Sequence, residues 1–109
     1  MRFEFLSGPE DGVVITQAND HVFIGRQFSI GGIQLTWDPF VSKKHAAVFR
    51  EASGFRIADT GNDGDGSVHG TVLCDPFLKP KAHLRGQAAT IEAGDILIVG
   101  HTWIKFLGN

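Results

Sequence analysis

The chain has 109 residues, 42 % hydrophobic and 20 % charged, which is room and composition for one compact folded module and sets aside the disordered and collagen-like classes. Ten Lys and Arg against twelve Asp and Glu give a formal net charge of -2, and the cations are scattered, so no phosphate-backbone footprint for DNA or RNA is expected. Cys74 is the sole cysteine, which excludes an intrachain disulfide and a cysteine-cluster zinc site and fits a reducing cytoplasm.

Strand signals recur every eight to twelve residues, each short, rich in Phe, Ile, Val or Leu and closed by turn residues, the spacing of an antiparallel sandwich. Arg2 to Leu6 alternates Phe3 and Phe5 against Arg2 and Glu4 and does not form a signal-peptide core. It stops at "SGPEDG", where Pro9 presets a turn and Gly8 and Gly12 permit positive φ, and Val13 to Thr16 is expected to return antiparallel to it. Next come "HVFIGR" (21 to 26), "IQLTW" (33 to 37), "HAAVF" (45 to 49) and "FRIAD" (55 to 59), parted by Gly-Gly (31 to 32), Asp-Pro and Ala-Ser-Gly turns. "TVL" (71 to 73) follows a Gly-rich stretch, and the tail from Ala89 reads as three strands turning at "EAGD" and "GH". In the last of them Trp103, Lys105 and Leu107 share one face, Ile104 and Phe106 the other. Segments 60 to 67 and 75 to 87 are expected as surface loops, the latter because Pro76 and Pro80 cannot donate to a sheet ladder. No apolar run approaches the about 20 residues of a membrane helix.

Several constellations invite chemistry. Ser42, His45 and an acid such as Asp38 or Asp59 would make a nucleophile, a base and its orienter. There is no Gly-x-Ser-x-Gly elbow, however, and no helix after Ser42, so no catalytic residue is assigned. "DTGNDGDGS" offers Asp59, Asn62, Asp63 and Asp65 as oxygen ligands, but counted from Asp59 the third position is Gly61 and the twelfth is Gly70 where an EF-hand needs Glu. The histidines at 21, 45, 69, 83 and 101 share no ligand spacing. No metal or cofactor is expected. An anion site on a sandwich rim is the remaining option: Arg26 ends a strand beside Gly25, and Ser42 is followed by Lys43 and Lys44, a guanidinium fork and a hydroxyl suited to phosphate oxygens if the two loops meet.

"IGR" at 24 to 26, "VSKKHA" at 41 to 46, "HGT" at 69 to 71 and "GDIL" at 94 to 97 occur in an order and spacing that resembles the forkhead-associated (FHA) domain, whose pattern is Gly-Arg, Ser-x-x-His, Asn-Gly-Thr and a late Gly-Asp before a hydrophobic strand. The likeness covers nearly the whole chain. It implies an all-β, FHA/SMAD-like antiparallel sandwich of about eleven strands, one domain over residues 1–109 of a kind more often found as a module of a longer polypeptide. It further implies a non-catalytic reader of phosphothreonine in a partner protein, marked by a Ser/Thr kinase; the lone cysteine, scattered cations and short apolar runs add the expectations of a cytoplasmic setting and of neither nucleic acid nor membrane as partner.

Carried over by position, the resemblance gives Arg26 and Ser42 the phosphate, with Lys43 beside them on phosphate or peptide main chain. Gly25 and His45 become architectural, as do Gly70 and Thr71 after the peptide-binding position. Two positions depart from the pattern. The family's asparagine, which bonds the peptide backbone, is His69 here, and the residue before it, often a hydroxyl reaching the phosphate, is Val68, so Ser67 or a backbone N–H is needed as replacement. "NDGDG" looks like an insertion whose Asp63 and Asp65 would repel a phosphate. Phe40, two before Ser42, is expected to favour an apolar residue three past the phosphothreonine. The alternative is a degenerate FHA module acting in phosphate-independent interaction or oligomerisation.

Overall fold

The computed structural model describes residues 1–27 and 32–109. Among these, eleven strands and no helix form two packed sheets. In chain order the strands are β1 (Arg2–Phe5), β2 (Val14–Thr16), β3 (His21–Gly25), β4 (Ile33–Gln34), β5 (Ala46–Glu51), β6 (Gly54–Asp59), β7 (Thr71–Cys74), β8 (Pro80–Leu84), β9 (Ala88–Ile91), β10 (Ile96–Val99) and β11 (Thr102–Gly108). One sheet runs β2-β1-β11-β10-β7-β8 and the other β4-β3-β5-β6-β9. Every pairing is antiparallel except β3 with β4, where a two-residue strand lies parallel through Ile24↔Ile33 and Gly25↔Gln34.

Period-two alternation decides which side of each strand enters the core. In β11 Thr102, Ile104, Phe106 and Gly108 are buried while Trp103 is exposed, as the sequence pattern expects. Phe3, Ile24, Leu35, Ile57, Leu73, Leu97, Ile104 and Phe106 fill the space between the sheets. Phe106 sits at its centre, 5.5 Å from Phe3 and 5.0 Å edge-on from Phe55 between ring centroids, the tilted and T-shaped arrangements that ring quadrupoles favour.

Two expectations need correction. Residues 75 to 87 are not all loop: Pro80–Leu84 forms β8. Its proline is tolerated because β8 is an edge strand and Pro80 meets Cys74 where the register slips, so the missing N–H takes nothing from the ladder. The run 33 to 37 stays in strand only through Gln34, then turns as Asp38 N–H donates to Leu35 O at 3.2 Å. The expected all-β antiparallel sandwich of eleven strands is present, with the short β3–β4 pairing its one parallel contact among the described residues. Of the expected Gly-Gly turn, Gly31 lies outside the described residues.

The register gathers one set of strand ends. β3 ends at Gly25, Ala46 at the start of β5 pairs with Ile24 and with Asp59, the last residue of β6, and Thr71 at the start of β7 pairs with Val99 before the β10–β11 turn. The segments around Arg26, Ser42, residues 60–70 and His101 therefore leave the sandwich at one pole.

Candidate functional site

Backbone bonds bring the first two loops together. Arg26 N–H donates to Ser42 O at 3.1 Å and Gln27 N–H to Lys43 O at 3.3 Å, so the Arg26 and Ser42 segments lie edge to edge. From the other side Val68 N–H donates to Ser42 Oγ at 3.1 Å, and Lys44 N–H donates to Asn62 Oδ1 at 3.0 Å. The result is an open cavity of about 170 Å³ lined by Arg26, Phe40, Ser42, Lys43, Val68 and His69 together with Pro39, Val41 and Asn62. No carboxylate lines it; Asp63 and Asp65 are exposed on the adjoining loop but do not contribute to the wall. Ser42 Oγ accepts from Val68, which leaves its proton to donate into the cavity.

Beneath the cavity lies a buried polar frame. His45, fully enclosed, accepts the Ser42 N–H on Nδ1 at 3.0 Å. An acceptor at Nδ1 puts the proton of the neutral ring on Nε2, which donates to Gly70 O at 2.8 Å. One imidazole thus ties the Ser42 turn to the turn before β7. Burial depresses the His45 pKa below its ordinary value, overriding the Gly70 bond and the Asp59 charge, which act to raise it.

Asp59, also buried, is the second tie. Its carboxylate accepts four hydrogen bonds: Ser67 N–H at 2.7 Å, Ser67 Oγ at 2.6 Å, Thr71 Oγ1 at 2.7 Å and Gly86 N–H at 3.0 Å. Burial alone would raise its pKa, but the bonds from Ser67, Thr71 and Gly86 stabilise the ionised form and hold it below the usual carboxylate range. A third carboxylate, Asp38, takes Phe40 N–H at 3.0 Å on one oxygen, and His101 N–H and Thr102 Oγ1, each at 2.7 Å, on the other. It locks the Phe40 turn to the β10–β11 turn. There the Phe40 ring stacks on His101 at 4.1 Å and meets His69 edge-on at 5.7 Å.

The cavity brings Arg26, Phe40, Ser42, Lys43, Val68 and His69 to one wall. Ser67 is placed differently from the expectation that it replaces the missing rim hydroxyl. It is buried, its proton goes to Asp59 and its oxygen accepts Gly70 N–H at 2.9 Å, so it braces the loop from inside. The backbone N–H of Val68 faces Ser42 Oγ instead, while the Val68 side chain points to solvent with 65 % of its surface exposed. Gly25, His45, Gly70 and Thr71 all sit in the frame; a Cβ on Gly70 would lie 2.8 Å from His83 Nε2 and 3.0 Å from Leu84 O at φ 79°, which requires glycine.

The hydrolase-like grouping is adjacent in space but wired for support. His45 receives the Ser42 main-chain N–H and not the hydroxyl, and Asp59 Oδ2 lies 3.8 Å from Nε2 with its bonds directed to Ser67 and Thr71. In the acidic loop Asn62 Oδ1 accepts from Lys44 and the Asp59 carboxylate from its four donors, while Asp63 and Asp65 are exposed. Among the described residues no group of three or more His, Cys, Asp or Glu is placed to hold a metal.

The fold matches known sandwiches closely. The FHA domain of an Arabidopsis thaliana hypothetical protein superposes with a TM-score of 0.74 at 21 % identity, covering 99 % of this chain and 86 % of that one. The FHA domain of a Chlamydia trachomatis protein gives 0.72 at 18 % identity over 99 % and 96 %. EmbR of Mycobacterium tuberculosis, solved with a low-affinity phosphopeptide, gives 0.71 at 18 % identity over 99 % of this chain and 24 % of that longer one. No curated protein matches the sequence. The family model described as the FHA domain matches residues 22–100, most of the chain. With the sandwich and that match together, the chain belongs to the forkhead-associated (FHA) domain family.

Proposed function

We propose that this chain binds threonine-phosphorylated protein, holding the phosphate in the cavity between the Arg26, Ser42 and Val68 segments. The observation that carries the reading is the convergence of Arg26, Ser42 and Lys43 on one open cavity that no carboxylate lines. A phosphate dianion there accepts from the Arg26 guanidinium, which reaches Pro39 O at 3.5 Å, from the Lys43 ammonium and from the Ser42 hydroxyl, whose oxygen the Val68 N–H holds in place. His69 stands where a peptide main chain would pass and offers one donor or acceptor to it. Phe40, 42 % exposed and backed by His101, gives the wall beyond the phosphate an apolar surface. EmbR, the similar structure solved with a phosphopeptide, lends support to this class of ligand.

The finer parts of the reading go with it: one domain over residues 1–109, a Ser/Thr kinase that writes the mark, a cytoplasmic setting, and no catalysis, cofactor, nucleic acid or membrane in its action. Few contacts give micromolar affinity, about -8 kcal/mol. Calorimetric titration with a phosphothreonine peptide library, its unphosphorylated twin and the Arg26→Ala protein tests it. Binding is expected to need the phosphate and to vanish with Arg26. The exposed Val68 and the inward Ser67 favour a second reading, phosphate-independent association; binding that ignores the phosphate and survives Arg26→Ala selects it.

A further inference from the structure

At the opposite pole from the phosphate cavity, the β7–β8 turn presents Phe77 with 91 % of its surface in solvent, beside Leu78. This turn is held stiffly. Asp75 Oδ1 accepts Phe77 N–H at 2.8 Å and Lys79 N–H at 2.9 Å, Asp75 N–H donates to Lys79 O at 2.9 Å, and Pro76 rests against Gly94, where a Cβ would lie 3.1 Å from its ring. Leu78 has φ 66°, the one positive value for a non-glycine residue among those described. A branched side chain in the left-handed region costs about 1 kcal/mol or more, and such strain concentrates where a segment serves a ligand or partner. Little of the displayed ring is covered by the described residues.

A complementary hollow lies on the far edge of the same sheet. Between edge strands β2 and β4 a groove of about 280 Å³ is lined by Phe5, Val13, Ile15, Ile33 and Trp37, with Glu10 at its rim. Gln17 and Gln34 also line it, so it pairs apolar walls with a polar rim, and its volume admits an aromatic ring. Lys79 flanks Phe77 and has no carboxylate partner among the described residues, whereas Lys81 is already paired with Asp95 at 2.8 Å. Glu10 at the groove supplies the opposite charge.

We infer that the Phe77 turn of one copy of this chain seats in the Phe5–Ile15–Trp37 groove of another, with Lys79 meeting Glu10. Knob and hollow lie at opposite edges of the six-stranded sheet, so the contact is heterologous: copies add head to tail into a ring or an open array. The groove and the phosphate cavity share no lining residue. An array therefore presents many phosphothreonine sites in a row, and a multiply phosphorylated partner gains avidity from it. The self-association does not depend on the phosphopeptide reading and is measured without peptide.

Sedimentation velocity over a concentration series tests this on the whole chain. Wild type is expected to grow beyond a dimer as concentration rises. Phe77→Ser removes the knob and Val13→Asp charges the groove, and both positions are exposed enough that melting temperature should hold. Either variant alone is expected to stay monomeric. Their equal mixture retains one good knob and one good groove and should stop at a 1:1 dimer. Glu10→Lys and Lys79→Glu should each weaken association about tenfold and restore it when mixed. A wild type monomeric up to about 1 mM overturns the inference and leaves Phe77 to a partner of different sequence. A closed dimer indifferent to both variants, or folded variants that fail to pair on mixing, overturns it equally.

Discussion

The main-chain N–H of Ser42 donates to His45 Nδ1 at 3.0 Å, and the opposite face of that ring donates to Gly70 O at 2.8 Å. One neutral, buried imidazole therefore sets the distance between the two loops that form the phosphate cavity. Protonating it would turn Nδ1 from acceptor to donor against the Ser42 N–H, which opposes the native arrangement. The folded pKa lies below the ordinary value of 6.5, with burial the largest cause.

A depressed histidine pKa has a definite sign in stability. Between the folded pKa and 6.5 the unfolded chain binds a proton that the folded chain refuses, so stability is complete above pH 6.5 and falls as the pH drops below it. Within that window the slope approaches about 1.4 kcal/mol per pH unit for one proton. Melting temperature followed from pH 7.5 downward should decline on the acid side, and His45→Asn, less stable at neutral pH, should show a shallower decline. Equal slopes in the two proteins would remove His45 from this role.

Asp59 carries more. Its carboxylate gathers Ser67, Thr71 and Gly86 from three segments, and Asp59→Ala leaves the buried donors of Ser67 and Thr71 without an acceptor. Breaking a buried charged network of this kind costs about 3–5 kcal/mol. Urea denaturation should show that loss, with Asp59→Asn intermediate because it keeps one acceptor oxygen. Since the folded pKa is lowered, the contribution is full above about pH 4 and disappears as pH falls further. A loss under 1 kcal/mol would mean that water replaces the carboxylate.

Much of this frame was hidden in the sequence while the sandwich was plain. Alternation in residues 102–107 and the recurrent turns report which side chains are buried, and burial is what periodicity encodes. They do not report pairing between distant strands, so β8 was masked by Pro80, whose tolerance depends on an edge position that only topology reveals. Asp38 and Asp59 read as candidate orienters of a histidine, and Asn62 as part of an acidic loop. Their work is to accept particular backbone N–H groups, at His101, Ser67 and Lys44, and no local pattern announces a bond spanning 63, 8 or 18 residues. The orientation of Ser67 is illegible for the same reason: from sequence a serine beside a binding position looks outward, and only the carboxylate below turns it in.

The rim at Val68 is open to gain of function. Its backbone N–H reaches Ser42 Oγ, but its side chain contributes no polar atom and is 65 % exposed. Val68→Thr adds a hydroxyl of nearly the same shape beside the cavity and disturbs no core contact. Phosphothreonine-peptide affinity is expected to rise several-fold, about 0.5–1.5 kcal/mol for one added hydrogen bond, with unphosphorylated peptide unaffected. Ser42→Ala should do the reverse, about tenfold weaker, since it removes a donor to the ligand and the acceptor that holds Val68 N–H. Unchanged affinity in both proteins would place the ligand elsewhere.

Gly8 and Gly12 share one turn and both have positive φ, 78° and 88°, yet their surroundings differ. A Cβ at Gly12 meets nothing within 4 Å, whereas one at Gly8 would stand 2.9 Å from Trp37 Nε1. That indole nitrogen is buried and has no hydrogen-bond partner among the described residues. Gly12→Ala should therefore cost only the backbone strain of a left-handed alanine, about 1 kcal/mol. Gly8→Ala adds the clash and should cost about 1–3 kcal/mol more. Trp37→Phe removes the orphaned donor and relieves the contact, so in the Gly8→Ala background it should recover part of the loss. Thermal melts of the two alanine proteins and the double variant measure all three terms, and equal costs at the two glycines would show that Trp37 swings away without penalty.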